Sequence, residues 1–348
     1  MVRRPRRFAI VLAAALGLLW MSARARAEAP RAPLIRNHTL WKDTAGQPID
    51  CHEGGLLRVG DTWYWYGRSY HGNDQGIYGT QGAKFRCPLV CYSSRNLVDW
   101  KFERKILTYD NQPAWLTEGT WHRPRAAYNA KTKKYVLWFF RLLTPEHAAP
   151  SARDVILVAD EPAGPFQIVG EPKQPIEPSG DLAILVEKDG TGFLANGDWR
   201  GNGFILKLTD DYLNTVGKEV VGLPASNGKN YEGLSLIRYH DKVLLAGSGR
   251  AGLNPTETTY AVADEPLGPY RVKGFMSEKN TWNSQVGSFC YIAETDRLFA
   301  LNDQWLTGPD GKRIAAEFSS QLWLPVKFDT KTEHAKMEYV ETWDPAKR

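Results

Sequence analysis

Apolar residues in this chain fall into short paired runs, not at helical spacing, and each pair is separated by a polar turn. Asn230 and Tyr231 lead Glu232-Gly233 into Leu234-Ser235-Leu236-Ile237, and a turn at His240-Asp241-Lys242 reverses the chain into Val243-Leu244-Leu245-Ala246. Two strand-like runs around such a turn predict a β-hairpin. The design recurs four times. His52-Glu53-Gly54-Gly55-Leu56-Leu57 turns at Gly60-Asp61 into Trp63-Tyr64-Trp65-Tyr66, and His122 to Tyr128 turns at Lys131 to Lys133 into Tyr135-Val136-Leu137-Trp138. Asp181 to Val186 turns at Asp189-Gly190 into Gly192 to Ala195, and Gln285 to Phe289 turns at Thr295-Asp296 into Leu298 to Leu301.

The turns, near positions 61, 132, 190, 241 and 296, recur every 51 to 71 residues. A strand-and-turn repeat of roughly 40 to 50 residues or more suggests a propeller. The expected fold is therefore all-β, a five-bladed β-propeller. Val155 to Phe166 and Thr259 to Tyr270 are near copies 104 residues apart, about two blades, each a third strand, a Pro/Gly turn and the start of an outer strand. Val90 to Phe102 fills the same place in the first blade. Helical signals are sparse: Glu146 to Ala149 stops at Pro150, and Asp210 to Leu213 makes one turn at most.

Innermost strands line a propeller's channel, so residues that open them converge. Glu53, His122, Asp181, Glu232 and Gln285 are the five openers. Polar residues also precede strands in ordinary turns. The fivefold recurrence of ionisable or amide side chains in one slot is what favours a site.

The chain opens with Arg3, Arg4, Arg6 and Arg7, an apolar run from Phe8 to Met21, and Ala25-Arg26-Ala27. This is the pattern of a secretory leader, with cleavage expected near Ala27. The apolar run is short for a bilayer crossing of roughly 20 residues. Residues 1–27 are thus read as leader and 28–348 as one propeller domain, secreted or periplasmic, by the ordinary or the twin-arginine route. The formal charge of +5 includes six leader arginines and no leader acid, so the remainder is slightly negative. Nucleic acid loses its support as a partner. With 13 Trp and 15 Tyr, the chain carries aromatics that either stack on sugar rings or fill space between blades.

Four cysteines, Cys51, Cys87, Cys91 and Cys290, leave Cys51–Cys290, Cys87–Cys91 and free thiols all open. Beyond Cys87 and Cys91, no second close Cys or His pair has zinc-ligand spacing, and no cofactor is implied. Calcium in the channel is left undecided.

Cys91-Tyr92-Ser93-Ser94-Arg95-Asn96-Leu97-Val98-Asp99-Trp100, Arg123-Pro124-Arg125 with Tyr128-Asn129, Ala163-Gly164-Pro165-Phe166, Leu208 to Leu213 and Asn302-Asp303-Gln304-Trp305 carry a resemblance. Together with Leu322-Trp323-Leu324-Pro325, they look like family 43 glycoside hydrolases, nearest the exo-β-1,3-galactanase branch. The likeness runs in order from about Trp41 to Trp343. It implies a five-bladed propeller, agreeing with the hairpin count, and hydrolysis of a glycosidic bond with inversion.

Carried over by position, the resemblance makes Glu232 the general acid and Asp181 the carboxylate that orients it. It makes Gln285 the residue that assists the attacking water. Two departures stand out: His122 occupies a place usually held by Glu, and Glu53 one held by Gly. Inversion needs a proton donor and, about 6.5 to 9.5 Å away, a base for water. The like charge of Asp181 and burial would keep Glu232 protonated. An amide is a poor proton acceptor, so chemistry favours Glu53 as base while the resemblance favours Gln285.

Substrate contacts are expected from His52, His122, Arg123, Trp199, Trp282, Asp303 and Trp305. His122 can hold the sugar, serve as a channel hydrogen bonder or modulate the acid. The expected partner is a carbohydrate, with no nucleic acid, no membrane after leader removal, and a monomeric state. An arabinofuranosidase, xylosidase or galactofuranosidase on the same fold stays open, as does a non-catalytic sugar-binding propeller.

Overall fold

All five predicted hairpins form, each as the inner half of a four-stranded antiparallel sheet. The computed structural model describes residues 33–70, 87–143, 152–173, 180–197, 203–221, 231–249, 251, 254–304 and 319–347. The leader-like stretch, Trp199 and Trp305 lie outside them. Blade 1 comprises His52–Val59, Thr62–Arg68, Leu89–Ser94 and Lys101–Leu107. Blade 2 follows with Gly119–Asn129, Lys134–Leu143, Ala152–Ala159 and Gln167–Gly170, and blade 3 with Leu182–Val186, Gly192–Gly197, Gly203–Leu208 and Thr215–Val221. Blade 4 contains Tyr231–Tyr239, Lys242–Gly249, Thr258–Ala263 and Arg271–Phe275. Blade 5 contains Gln285–Ile292, Arg297–Gln304, Ser320–Asp329 and His334–Met337.

The first strand of each blade touches the first strand of the next, and that of blade 5 touches that of blade 1. The chain is a five-bladed β-propeller. Away from the candidate site, a cavity of about 210 Å³ is lined by Leu56, Arg125, Ile184, Leu236 and Phe289, one residue from each inner strand. Inner hairpins are sandwiched between neighbouring blades, which is why their sequences run apolar without strict alternation. Lys134–Leu143 is buried through seven successive positions, whereas the outermost strand Arg271–Phe275 is buried at none.

Closure of the ring uses no shared blade strand. Ile35–Arg36 pairs with Thr342–Trp343 instead, in a separate two-stranded sheet. Asn37 clamps this seam: its amide nitrogen donates to the carbonyls of Trp323 (2.9 Å) and Val340 (2.8 Å), and its amide oxygen accepts from Trp323 N–H (2.8 Å). Beneath it, Trp323 packs edge-on against Trp41, Trp65 and Trp100, with ring centroids 4.9, 5.0 and 5.9 Å away. Trp65, Trp100, Trp121, Trp138 and Trp323 are fully buried, so these aromatics fill space within and between blades.

Cys51, Cys91 and Cys290 are buried thiols without a disulfide, so neither the Cys51–Cys290 nor the Cys87–Cys91 link is formed. Burial pushes all three thiols up, away from the reactive thiolate. Asp210 to Leu213 is a turn, and a short helix that the sequence pattern did not signal spans Ala114–Thr117.

Because Trp323 joins the first and last blades, Trp323→Ala should remove about 3–5 kcal/mol of stability, the range for burying and then deleting a large aromatic. Urea unfolding measures it. A loss under about 1 kcal/mol would mean the seam does not hold the ring closed.

Candidate active site

Three of the inner strands enter through the same backbone device. Register shifts separate His52 from Gly55, His122 from Arg125 and Glu232 from Ser235. The residue inside each bulge is left-handed: Glu53 (φ 57°), Arg123 (φ 51°) and Gly233 (φ 67°). Only glycine suits the last, since a Cβ there would lie 2.1 Å from the carbonyl of Val286. The bulges also correct the expected alignment. His52, not Glu53, is the equivalent of His122 and Glu232, and Glu53 shares the position of Arg123.

One network joins all five predicted openers. Arg123 Nε donates to Asp181 Oδ1 (3.1 Å), and Arg123 Nη2 donates to Gln285 Oε1 (2.5 Å). Gln285 Nε2 in turn donates to Glu232 Oε2 (3.3 Å), and the N–H of Gly233 donates to Asp181 Oδ2. Asp181 therefore fixes the peptide that follows Glu232 while its charge is met by Arg123. Glu232 itself is half-buried. Arg123 is 3% exposed, so its part is to hold other site residues together.

Glu53 is placed differently from the expected base. Its Oε1 accepts from Arg68 (2.5 Å) and Tyr70 (2.8 Å); its Oε2 accepts from the N–H of Arg123 (3.4 Å) and lies 3.1 Å from His122 Nδ1. Burial alone would raise its carboxyl, but Arg68, His122 and Arg123 outweigh burial and hold it well below its ordinary 4.5. A carboxylate surrounded by donors and held so low is a weak proton acceptor.

His122 is stacked on Phe140 (5.0 Å, 10°), with Nε2 2.8 Å from Thr120 Oγ1 and Nδ1 2.8 Å from Arg68 Nη1. Burial and the Arg68 charge lower its pKa, so it is neutral at pH 7. Its side chain is 21% exposed, which leaves it able to meet a ligand.

His52 and Asp303 do not stand where a sugar can touch them. His52 is wholly buried, stacked on Tyr70 at 4.7 Å, with Nδ1 3.3 Å from Asp303 Oδ1. Asp303 is 4% exposed and accepts from the N–H of Glu53 (2.8 Å) and from Gln321 Nε2 (3.1 Å). Both support the Glu53 bulge from beneath. The ring of Trp282 packs on Tyr339 (5.7 Å) and against the apolar core of blades 4 and 5. Sequence reasoning missed Arg68 and Tyr70, whose adjacency to a turn-and-strand end carried no signal of the carboxylate they hold. Among the described residues, no group of three or more His, Cys, Asp or Glu could hold a metal ion.

Cleavage of a glycosidic bond needs one group to protonate the departing oxygen and another to direct water. Paired acidic and amide side chains, drawn from separate blades to one end of a propeller axis, meet that need, and the protein is a glycoside hydrolase. Residues 50–287 match the family model "Glycosyl hydrolases family 43", and the chain belongs to that family. No curated protein sequence matches significantly.

Solved structures share the fold. An exo-β-1,3-galactanase variant from Phanerochaete chrysosporium, bound to β-1,3-galactotriose, is 23% identical with a TM-score of 0.74, covering 90% of this chain and 68% of that one. A family 43 β-1,3-galactosidase with galactodeoxynojirimycin is 23% identical with a TM-score of 0.75, covering 89% of this chain and 100% of the other. An exo-β-1,3-galactanase from Clostridium thermocellum is 25% identical with a TM-score of 0.75, over 89% and 66%.

Glu53→Gln should destabilise the protein at pH 7 by about 3–5 kcal/mol, because Arg68 is left buried without its charge partner. A carboxyl lowered in the folded state contributes stability above pH 4.5 that is lost as pH falls through its folded value. The gap between wild type and variant should therefore narrow on acidification. Thermal unfolding from pH 7 to pH 3 checks both; equal stability at pH 7 would refute the ion-pair role.

Proposed function

We propose that the enzyme hydrolyses β-1,3-linked galactan with inversion, with Glu232 as proton donor and Gln285 directing the water. The observation that carries this reading is the fixed amide of Gln285. Its oxygen is held by Arg123 and its nitrogen by Glu232, while the rival carboxylate, Glu53, is saturated with donors. A carbonyl oxygen has two lone pairs, so Gln285 Oε1 keeps one for a water molecule. With an oxocarbenium-like transition state, Gln285 orients the water for attack, and the proton that the added water sheds afterwards passes to bulk solvent.

Glu232 then gives its proton to the departing sugar oxygen, and Asp181 holds the Glu232–Gly233 peptide in place for that transfer. The choice of β-1,3-galactan rests on the neighbouring structures, an exo-β-1,3-galactanase with β-1,3-galactotriose and a β-1,3-galactosidase among them. The leader pattern of residues 1–27 supports export. His122 favours a second reading, a hydrolase for another sugar. Its neutral, partly exposed imidazole puts an uncharged ring where a carboxylate would carry charge, and so favours a different hydroxyl arrangement.

Purified enzyme is assayed against β-1,3-galacto-, xylo- and arabino-oligosaccharides, with the anomer of the first product followed by proton NMR. The expected result is galactose released first as the α-anomer. Release of xylose or arabinose alone selects the second reading, and the β-anomer excludes inversion. Glu232→Gln should lower turnover of the natural linkage by about 10²–10⁴-fold and spare activated aryl glycosides comparatively. Near wild-type turnover of an oligosaccharide would remove Glu232 from the role of acid.

A further inference from the structure

The connection from the outermost strand of blade 4 to the inner strand of blade 5 holds four successive left-handed residues: Asn280 (φ 56°), Thr281 (φ 45°), Trp282 (φ 52°) and Asn283 (φ 60°). None is glycine. L-residues visit this region singly, because Cβ crowds the following carbonyl, and a β-branched or bulky residue tolerates it least. A run of four is not a local preference. Contacts from the rest of the fold must impose it.

Those contacts centre on Thr281, which is wholly buried. Its hydroxyl donates to the carbonyl of Thr256 (2.8 Å) and lies 3.0 Å from Thr258 Oγ1 and 2.8 Å from Ser277 Oγ. Its N–H donates to the carbonyl of Glu278 (2.9 Å). Its carbonyl accepts from both the N–H (3.2 Å) and the hydroxyl (2.5 Å) of Ser284, also wholly buried. One residue on, the carbonyl of Trp282 accepts from Gln304 Nε2 (3.2 Å). The turn is thus anchored to the third strand of blade 4 on one side and the second strand of blade 5 on the other. Ser284 is followed directly by Gln285.

Backbone strain that persists inside a packed structure marks a place where geometry is being held for a purpose. We propose that this left-handed turn positions the Gln285 amide for the reaction, and that Thr281 is the positioning residue on which the turn is locked. The proposal rests on the reading of Gln285 as the residue that directs the water. Gln285 must present its oxygen to Arg123 and its nitrogen to Glu232 at once, two partners on two other blades. Its Cα has little freedom if both bonds are to form. A hydroxyl buried in a neighbouring blade fixes that Cα better than a loop free to relax.

The test is a double-mutant cycle on the wild-type enzyme, Thr281→Val, Gln285→Ala and the pair, using the oligosaccharide that the wild type turns over fastest. Thr281→Val keeps the β-branched shape and removes the hydroxyl. The expected result is a kcat lowered by on the order of 10- to 100-fold, as for a small misplacement of a reacting group, with KM nearly unchanged. In the Gln285→Ala background, Thr281→Val should lower kcat no further, and Thr281→Ser should restore it in the otherwise wild-type chain. If Thr281→Val does not fold by circular dichroism, Ser284→Ala replaces it in the same cycle. Independent, additive losses overturn the proposal, as does a fall in stability with kcat unchanged. Should Gln285→Ala alone leave kcat intact, the reading of Gln285 falls and the proposal with it; should only the Thr281 variants be inert, the proposal falls by itself.

Discussion

A buried guanidinium holds this site together. Arg123 comes from blade 2, yet its side chain bonds Asp181 of the loop into blade 3 and Gln285 of blade 5, and its own N–H reaches Glu53 of blade 1. Charge taken out of water must be matched, and leaving a buried ion without its partner costs about 3–5 kcal/mol. The blades therefore close to distances that satisfy Arg123, and Asp181 and Gln285 are placed as a consequence. Arg125 repeats the logic one level along the axis, donating to the carbonyls of Glu53 (2.8 Å) and Gly287 (2.5 Å). No carboxylate hydrogen-bonds to Arg125 among the described residues, and burial together with Arg123 brings its pKa down to about 9.

Electrostatics decides how far Glu53 is free to act as a base. Glu53 has the right functional group for a base, but its strand bulge turns it into a pocket of Arg68, Tyr70, His122 and the Arg123 backbone. It serves as the counter-ion that lets Arg68 be buried. Gln285 is held instead through its oxygen by Arg123 and through its nitrogen by Glu232. The same bulge explains the difference between His52 and His122, which are equivalent along their strands. Tyr70 and Asp303 enclose the first, whereas the second retains an exposed edge.

Strain and packing meet at the start of blade 5. The left-handed turn at Asn280 to Asn283 is held by hydrogen bonds that Thr281, Ser284 and Gln304 supply. At the opposite edge of the blade the Trp323 cluster and the Asn37 clamp close the ring. Blade 5 is thus fixed on both flanks, and it is the blade that carries Gln285.

Period, hairpin turns and the near copies at Val155 and Thr259 were enough to predict five blades, because each blade is a local unit whose apolar runs and turn residues lie close in the chain. The residues that meet at the axis were legible for the same reason: they open the inner strands, and the architecture sends strand openings to one place. What each of them does was not legible in the same way. The one-residue shift that separates Glu53 from Glu232, the donors that quench Glu53, and the burial of His52 and Asp303 all depend on bulges and on partners from other strands or other blades. Burial and pairing are properties of the closed ring. Short-range pattern therefore determined the fold and the list of candidates, while the charge, exposure and role of each candidate were decided only when blades distant in sequence came within hydrogen-bond distance.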